Sequence, residues 1–78
     1  MKKARINIKD ITIEDNYKNP GIKKLTKRLE YFEKYGKFLV PIVLDADNKL
    51  IDGYTSYLVA IKQDIDVVDV VYVEGNKK

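Results

Sequence analysis

The chain has 78 residues, with 15 Lys and Arg against 12 Asp and Glu and without a single His, Cys or Trp. That length suits one small domain, and the missing residue types exclude disulfides, zinc fingers, thiol nucleophiles and imidazole bases, so any metal must be a hard cation held by oxygens. The net charge of +3 becomes −1 without Lys2, Lys3, Lys77 and Lys78, so the chain is not uniformly basic.

From the N-terminus, Met1, Lys2, Lys3, Ala4 and Arg5 turn polar at once, with no secretory apolar stretch, and a soluble cytoplasmic protein is expected. Ile6, Ile8, Ile11 and Ile13 alternate with polar residues, which predicts a short strand near 5–8 and then a second extended or turn-like piece. Asp15 to Gly21 carries turn residues throughout, and Pro20 bars a helix from entering there. Ile22, Leu25, Leu29 and Phe32 then recur at helical spacing, so a helix is predicted over 22–35, with Gly36 as its left-handed cap.

Phe38 to Leu44 is an apolar run holding Pro41, too short to cross a bilayer and predicted to be a strand buried on both faces. Asp45 to Asn48 supplies a tight turn, and Lys49 to Asp52 returns as the second arm of a hairpin. After Gly53, the spacing of Tyr54, Tyr57, Leu58 and Ile61 predicts a short helix to about Gln63, with Asp64 left-handed at its end. A valine-rich strand over 66–74 closes the chain and is expected to be covered on both sides. The order is strand, helix, hairpin, helix, strand. The fold class is α+β, one domain spanning 1–78, with fraying expected at 1–3 and 75–78.

Charge is segregated along this order. Residues 18–37 carry seven bases and two acids, whereas 45–74 carry seven acids and two bases. A polyanion therefore has one side of the molecule to meet. Lys23, Lys24, Lys27, Arg28 and Lys34 form the candidate nucleic-acid face, with Tyr31 and Tyr35 placed to stack on unpaired bases. A solvated helix face is the plainer reading, and the preference for Lys over Arg is not what base readout favours. Asp45, Asp47 and Asp52 are close enough to consider for Mg²⁺ or Ca²⁺, but Asp-x-Asp-Asn is ordinary turn chemistry and the calcium-loop pattern is missing, so no metal site is assigned.

The junction Asp52-Gly53-Tyr54-Thr55-Ser56 carries the most chemistry. A helix start leaves backbone N–H groups unpaired and partly positive. Gly53 lets a ligand approach that backbone, and hydroxyls follow at Thr55 and Ser56. Capping by Asp, Ser and Thr explains the same residues without a ligand.

Gly36 with Pro41, Pro41 to Leu44, Leu50 to Gly53, Tyr57 to Lys62 and Val67 to Val73 together resemble the core of the ParB/sulfiredoxin fold, as in the N-terminal domain of ParB partition proteins. The resemblance covers about half the chain and speaks to fold rather than activity. ParB proteins that bind cytidine triphosphate follow the glycine with Glu-Arg-Arg, where this chain has Tyr54, Thr55 and Ser56. Sulfiredoxins place Cys-His-Arg there, and this chain has neither Cys nor His. Gly36 and Pro41 stand one residue further apart than in typical partition proteins. With no helix-turn-helix in the 78 residues, a self-sufficient centromere-binding protein is not expected.

The resemblance implies a minimal ParB-like module, from a mobile element such as a plasmid or phage, that binds a nucleotide or a nucleic-acid phosphate at this junction. Lys37, Asp52, Gly53, Tyr54, Thr55 and Ser56 are the expected ligand-binding residues, and a nucleoside triphosphate with Mg²⁺ is the expected small ligand. A ParB-like nuclease or nucleotide hydrolase using Asp52 is one alternative. A non-catalytic protein-interaction domain is the other. No membrane partner is expected, and the oligomeric state stays open.

Overall fold

A computed structural model describes residues 2–14 and 17–73. Lys2–Asn7 form strand β1, followed by a single 3-10 turn at Ile8–Asp10. Helix α1 spans Ile22–Tyr35, and strands β2 and β3 are Ile42–Leu44 and Leu50–Asp52. Helix α2 covers Tyr54–Lys62 and strand β4 covers Val67–Tyr72. The four strands form one sheet in the order β1-β4-β2-β3. β4 runs antiparallel to β1 and parallel to β2, and β2 and β3 make the antiparallel hairpin.

The register decides which residues become core. Ala4 pairs with Val70 and Ile6 with Val68, and Ile42 lies opposite Val70 on the other side. Alternation therefore gathers these side chains on one face of the sheet. Ile42, Leu44, Val59, Ala60, Val68 and Val70 are buried there, joined by Leu50, Ile8 and Ile11. The expectation of two covered faces for the last strand fails. Val68 and Val70 are buried, but Val67 is 45% exposed and Asp69 is exposed. Val43 and Val71, on the same face as Asp69, are only half-buried, so the sheet is packed chiefly on one side.

The first helix matches its expected span, because the apolar spacing persists from Ile22 to Phe32 and Gly36 (φ 72°) turns the chain left-handed just beyond Tyr35. It packs beside α2 and buries no residue completely, leaving Ile22 82% exposed. Asp64 is left-handed after α2, at φ 59°. The expected strand over 38–44 shortens to Ile42–Leu44. Phe38 instead stacks on Phe32 with ring centroids 5.1 Å apart, and Pro41 has no N–H to give a ladder. The expected fraying at 2–3 is also corrected, since Lys2 pairs with Tyr72 and Lys3 with Val71. The expected fraying at 75–78 lies outside the described residues.

The hairpin turn explains one of the clustered carboxylates. Asp45 Oδ1 accepts hydrogen bonds from the Asp47 N–H (2.8 Å) and the Lys49 N–H (3.0 Å). Asn48 is left-handed at φ 64°, and its Oδ1 accepts a bond from the Tyr72 hydroxyl at 2.6 Å. No group of three metal-ligating side chains occurs among the described residues. Nor is any described helix long and apolar enough to cross a membrane.

Candidate anion site at the strand-glycine-helix junction

The junction is held by close backbone packing. Gly53 is buried with φ 89°, a conformation that side-chain-bearing residues rarely adopt. A Cβ placed there would overlap the Pro41 carbonyl oxygen and come within 2.9 Å of Ile42 Cα. The strand-to-helix corner is therefore pressed against the backbone that leads into β2, and only glycine fits it.

The helix start that follows has no side-chain cap. The Asp52 carboxylate accepts from the Gly53 N–H at 2.9 Å, one residue too early to satisfy the first turn. The Ser56 hydroxyl, expected to face a ligand, donates instead to the Val40 carbonyl, and Ser56 is 2% exposed. The capping account of this segment thus fails for its Asp and for its Ser alike. The N–H of Tyr57 reaches back to the Gly53 carbonyl (3.0 Å) and closes the first helical bond. The N–H groups of Tyr54, Thr55 and Ser56 precede that bond and have no acceptor within the helix.

In front of this terminus lies a hollow of about 420 Å³. Its wall comes from Asp52, Gly53, Tyr54 and Thr55 at the junction, from Val40, from Tyr17, Lys18 and Pro20 of the loop before α1, and from Lys24 and Arg28 of α1. Three bases meet one acid, Asp52, giving the lining a surplus of two positive charges. The volume falls within the usual range for small-molecule sites.

Sequence reading placed these bases elsewhere or passed over them. Lys24 and Arg28 belonged to the nucleic-acid face, and Lys18 was not singled out. Lys37, expected to supply charge here, lines a different hollow beside β1 and β4. At about 100° per residue, the bases of α1 divide into two strips. Lys23, Lys27 and Lys34 share one, while Lys24 and Arg28 lie on the next, which borders the hollow. That division is readable from helical geometry alone, but the direction in which each strip faces is set by the docking of α1 on α2. Tyr31 and Tyr35 are adjacent at 4.5 Å between centroids, with Lys34 Nζ 5.4 Å from the Tyr35 ring centre.

One wall of the hollow is a tyrosine stack that sequence reading did not find. Tyr17 and Tyr54 are nearly parallel with centroids 5.0 Å apart, and Tyr57 continues the series 6.3 Å from Tyr54. The Tyr17 hydroxyl donates to the Leu50 carbonyl at 2.7 Å, which ties the loop before α1 to β3. Burial chiefly, then the nearby charges of Glu14 and Asp52, raises the Tyr17 phenol above its ordinary value of 10.0. Because the folded value is raised, the neutral phenol favours folding below about pH 10, and this contribution disappears as pH climbs through the raised value. Tyr17→Phe loses the hydrogen bond and is expected to cost about 1 kcal/mol near neutral pH. Melting curves of the two proteins between pH 8 and 11 check this. The gap should narrow above pH 10, where only the parent protein carries the Tyr17 ionisation.

Solved structures with the same architecture are ParB N-terminal domains. The C2221 form of a pNOB8-like ParB N-domain superposes with a TM-score of 0.80 at 18% identity, covering 96% of this chain and 30% of that one. Another structure of the pNOB8-like ParB N-domain gives 0.70 at 25% identity, covering 91% and 26%. The C-terminally truncated chromosome-partitioning protein ParB from Caulobacter crescentus, complexed with CTP-γ-S, gives 0.75 at 13% identity, covering 99% and 47%. The fold is that of the ParB N-terminal domain, as the sequence resemblance implied. The chain spans less than half the length of each of these proteins. No protein-family model matches it, and no curated protein does.

Proposed function

We propose that this domain is a ParB-like module that binds the phosphates of a nucleoside triphosphate at the start of α2. The observation that carries the reading is the uncapped α2 terminus opening into a hollow lined by Lys18, Lys24 and Arg28. Backbone N–H groups at a helix start and nearby cations are the two ordinary means of holding phosphate. The CTP-γ-S complex of the Caulobacter ParB supports the same ligand class on the same fold. In this reading Arg28 and Lys24 replace, from α1, the arginines that the position after Gly53 does not provide. The hydroxyl of Thr55, which lines the hollow, adds a donor.

Mg²⁺ would arrive on the triphosphate. Asp52 lines the hollow as a lone carboxylate, which suits an ion that keeps most of its waters and takes one or two carboxylates beside phosphate oxygens. The ion would screen the phosphates from Asp52, while the residues of this chain grip and orient the ligand.

Thermal-shift measurements with Mg²⁺ and each of the four common nucleoside triphosphates test the proposal. A ligand at a hundred times its dissociation constant adds about 2.7 kcal/mol of stability. In a domain of this size that raises the melting temperature by roughly 10 °C or more. An unchanged melting temperature with every triphosphate at millimolar concentration contradicts it.

A further inference from the structure

We infer that the free edge of β1, with the groove beside it, is a docking site for an extended acidic-apolar segment of a protein partner. The inference is independent of the triphosphate site. β1 stands at one end of the sheet and, among the described residues, pairs only with β4, so its outer side has no strand partner among them. Next to it is a hollow of about 640 Å³. Phe32, Phe38, Pro41, Ile65, Val68 and Val70 give it an apolar lining. Lys37 borders this groove from the loop after α1, while Lys3, Arg5 and Asp69 reach its rim from strands whose alternation turns their side chains to the opposite face. Asp69 is already engaged, since its Oδ1 lies 3.0 Å from Arg5 Nε.

The chemistry of the occupant follows from the pleat. Ala4 and Ile6 point to one face of β1, and Lys3 and Arg5 to the other. β4, the strand that already satisfies β1, answers this pattern with Val70 and Val68 opposite Ala4 and Ile6, and with Asp69 opposite Arg5. A strand added to the outer edge meets the same alternation, so it needs apolar residues on one face and Asp or Glu on the other. A second copy of β1 does not meet that need. The antiparallel registers that overlap most of β1, centred on Lys3, Ala4 or Arg5, set Lys3 or Arg5 against another base, and such like-charged pairs oppose association. Strand addition draws affinity from main-chain hydrogen bonds and specificity from alternate side-chain pockets. β1 provides the first and the groove the second.

The test uses the full chain and a fluorescein-labelled peptide of alternating Asp or Glu with Val, compared with a peptide carrying Lys at the acidic positions. Anisotropy should show binding of the acidic peptide only. The double variant Lys3→Glu/Lys37→Glu, at two exposed positions, should weaken it about tenfold. Amide shifts in a nitrogen-15 spectrum of the unaltered protein should concentrate on residues 2–7 and on Phe38. The inference is overturned by equal binding of the Lys peptide or by unchanged affinity in the double variant. It is also overturned by shifts confined to Lys24, Arg28 and Gly53, or by no binding at millimolar peptide.

Discussion

Replacing Gly53 by alanine is expected to lower the melting temperature by about 15 °C. Two terms combine. The first is the left-handed backbone at φ 89°, which costs a residue with a side chain about 1 kcal/mol. The second is steric. The new Cβ meets the Pro41 carbonyl oxygen and Ile42 Cα, both of them backbone, so no side chain can rotate away. Overpacking of this kind costs about 1–3 kcal/mol. Together they approach 3 kcal/mol, and each kcal/mol is worth about 4–8 °C in a domain of 60–100 residues. Gly36→Ala offers the control. It shares the left-handed backbone at φ 72° but has nothing within 4 Å of the added methyl, so only the smaller first term applies. Melting curves of the two variants separate conformation from collision.

The second large effect concerns the ligand and should leave the fold alone. Lys24→Glu/Arg28→Glu converts a surplus of two positive charges in the hollow into a deficit of two. Lys24 is exposed and Arg28 half-buried, on a helix that buries no residue completely. The variant should therefore melt close to the parent protein. Its triphosphate affinity should fall by a hundredfold or more, since each charge-assisted hydrogen bond contributes about 1.5–3 kcal/mol and two are lost. Lys23→Glu/Lys27→Glu makes the same charge change on the neighbouring strip of α1, away from the hollow. It should weaken binding only severalfold, through the long-range field, and the difference should shrink with added salt. Isothermal titration of both variants with Mg²⁺ and the best triphosphate provides the comparison.

How much of this was legible in the sequence varied with the range of the interaction. α1 was readable to the residue because its apolar spacing and Gly36 are local signals. The hairpin and the left-handed Asp64 were readable for the same reason. The strand over 38–44 was overestimated because its apolar run records burial without recording what does the burying. Phe38 is taken up by Phe32, and Pro41 by its contact with Gly53, so neither is free for a ladder. The second covered face of β4 was inferred from valine content, which cannot tell a fully buried strand from one with a half-exposed side.

The candidate site divided in the same way. The junction from Asp52 to Thr55 was legible as a candidate because the residues that make it are contiguous. Its cations were not, because Lys18, Lys24 and Arg28 reach it only through the turn before α1 and the docking of α1 beside α2. Lys37, nearer to Gly53 in sequence than any of them, lies at the other groove. Ser56 was misjudged as a ligand donor because its use by the Val40 carbonyl is a contact between segments sixteen residues apart.

The most direct measurement is a nitrogen-15 titration of the full chain with Mg²⁺ and a nucleoside triphosphate, following the amides of Tyr54, Thr55 and Ser56. The account predicts that these three resonances move furthest and saturate together, with Lys24 and Arg28 shifting alongside, because the phosphates bind in front of the helix start that these residues form. Saturable binding that leaves the three amides in place, with the shifts centred on another surface, would contradict it.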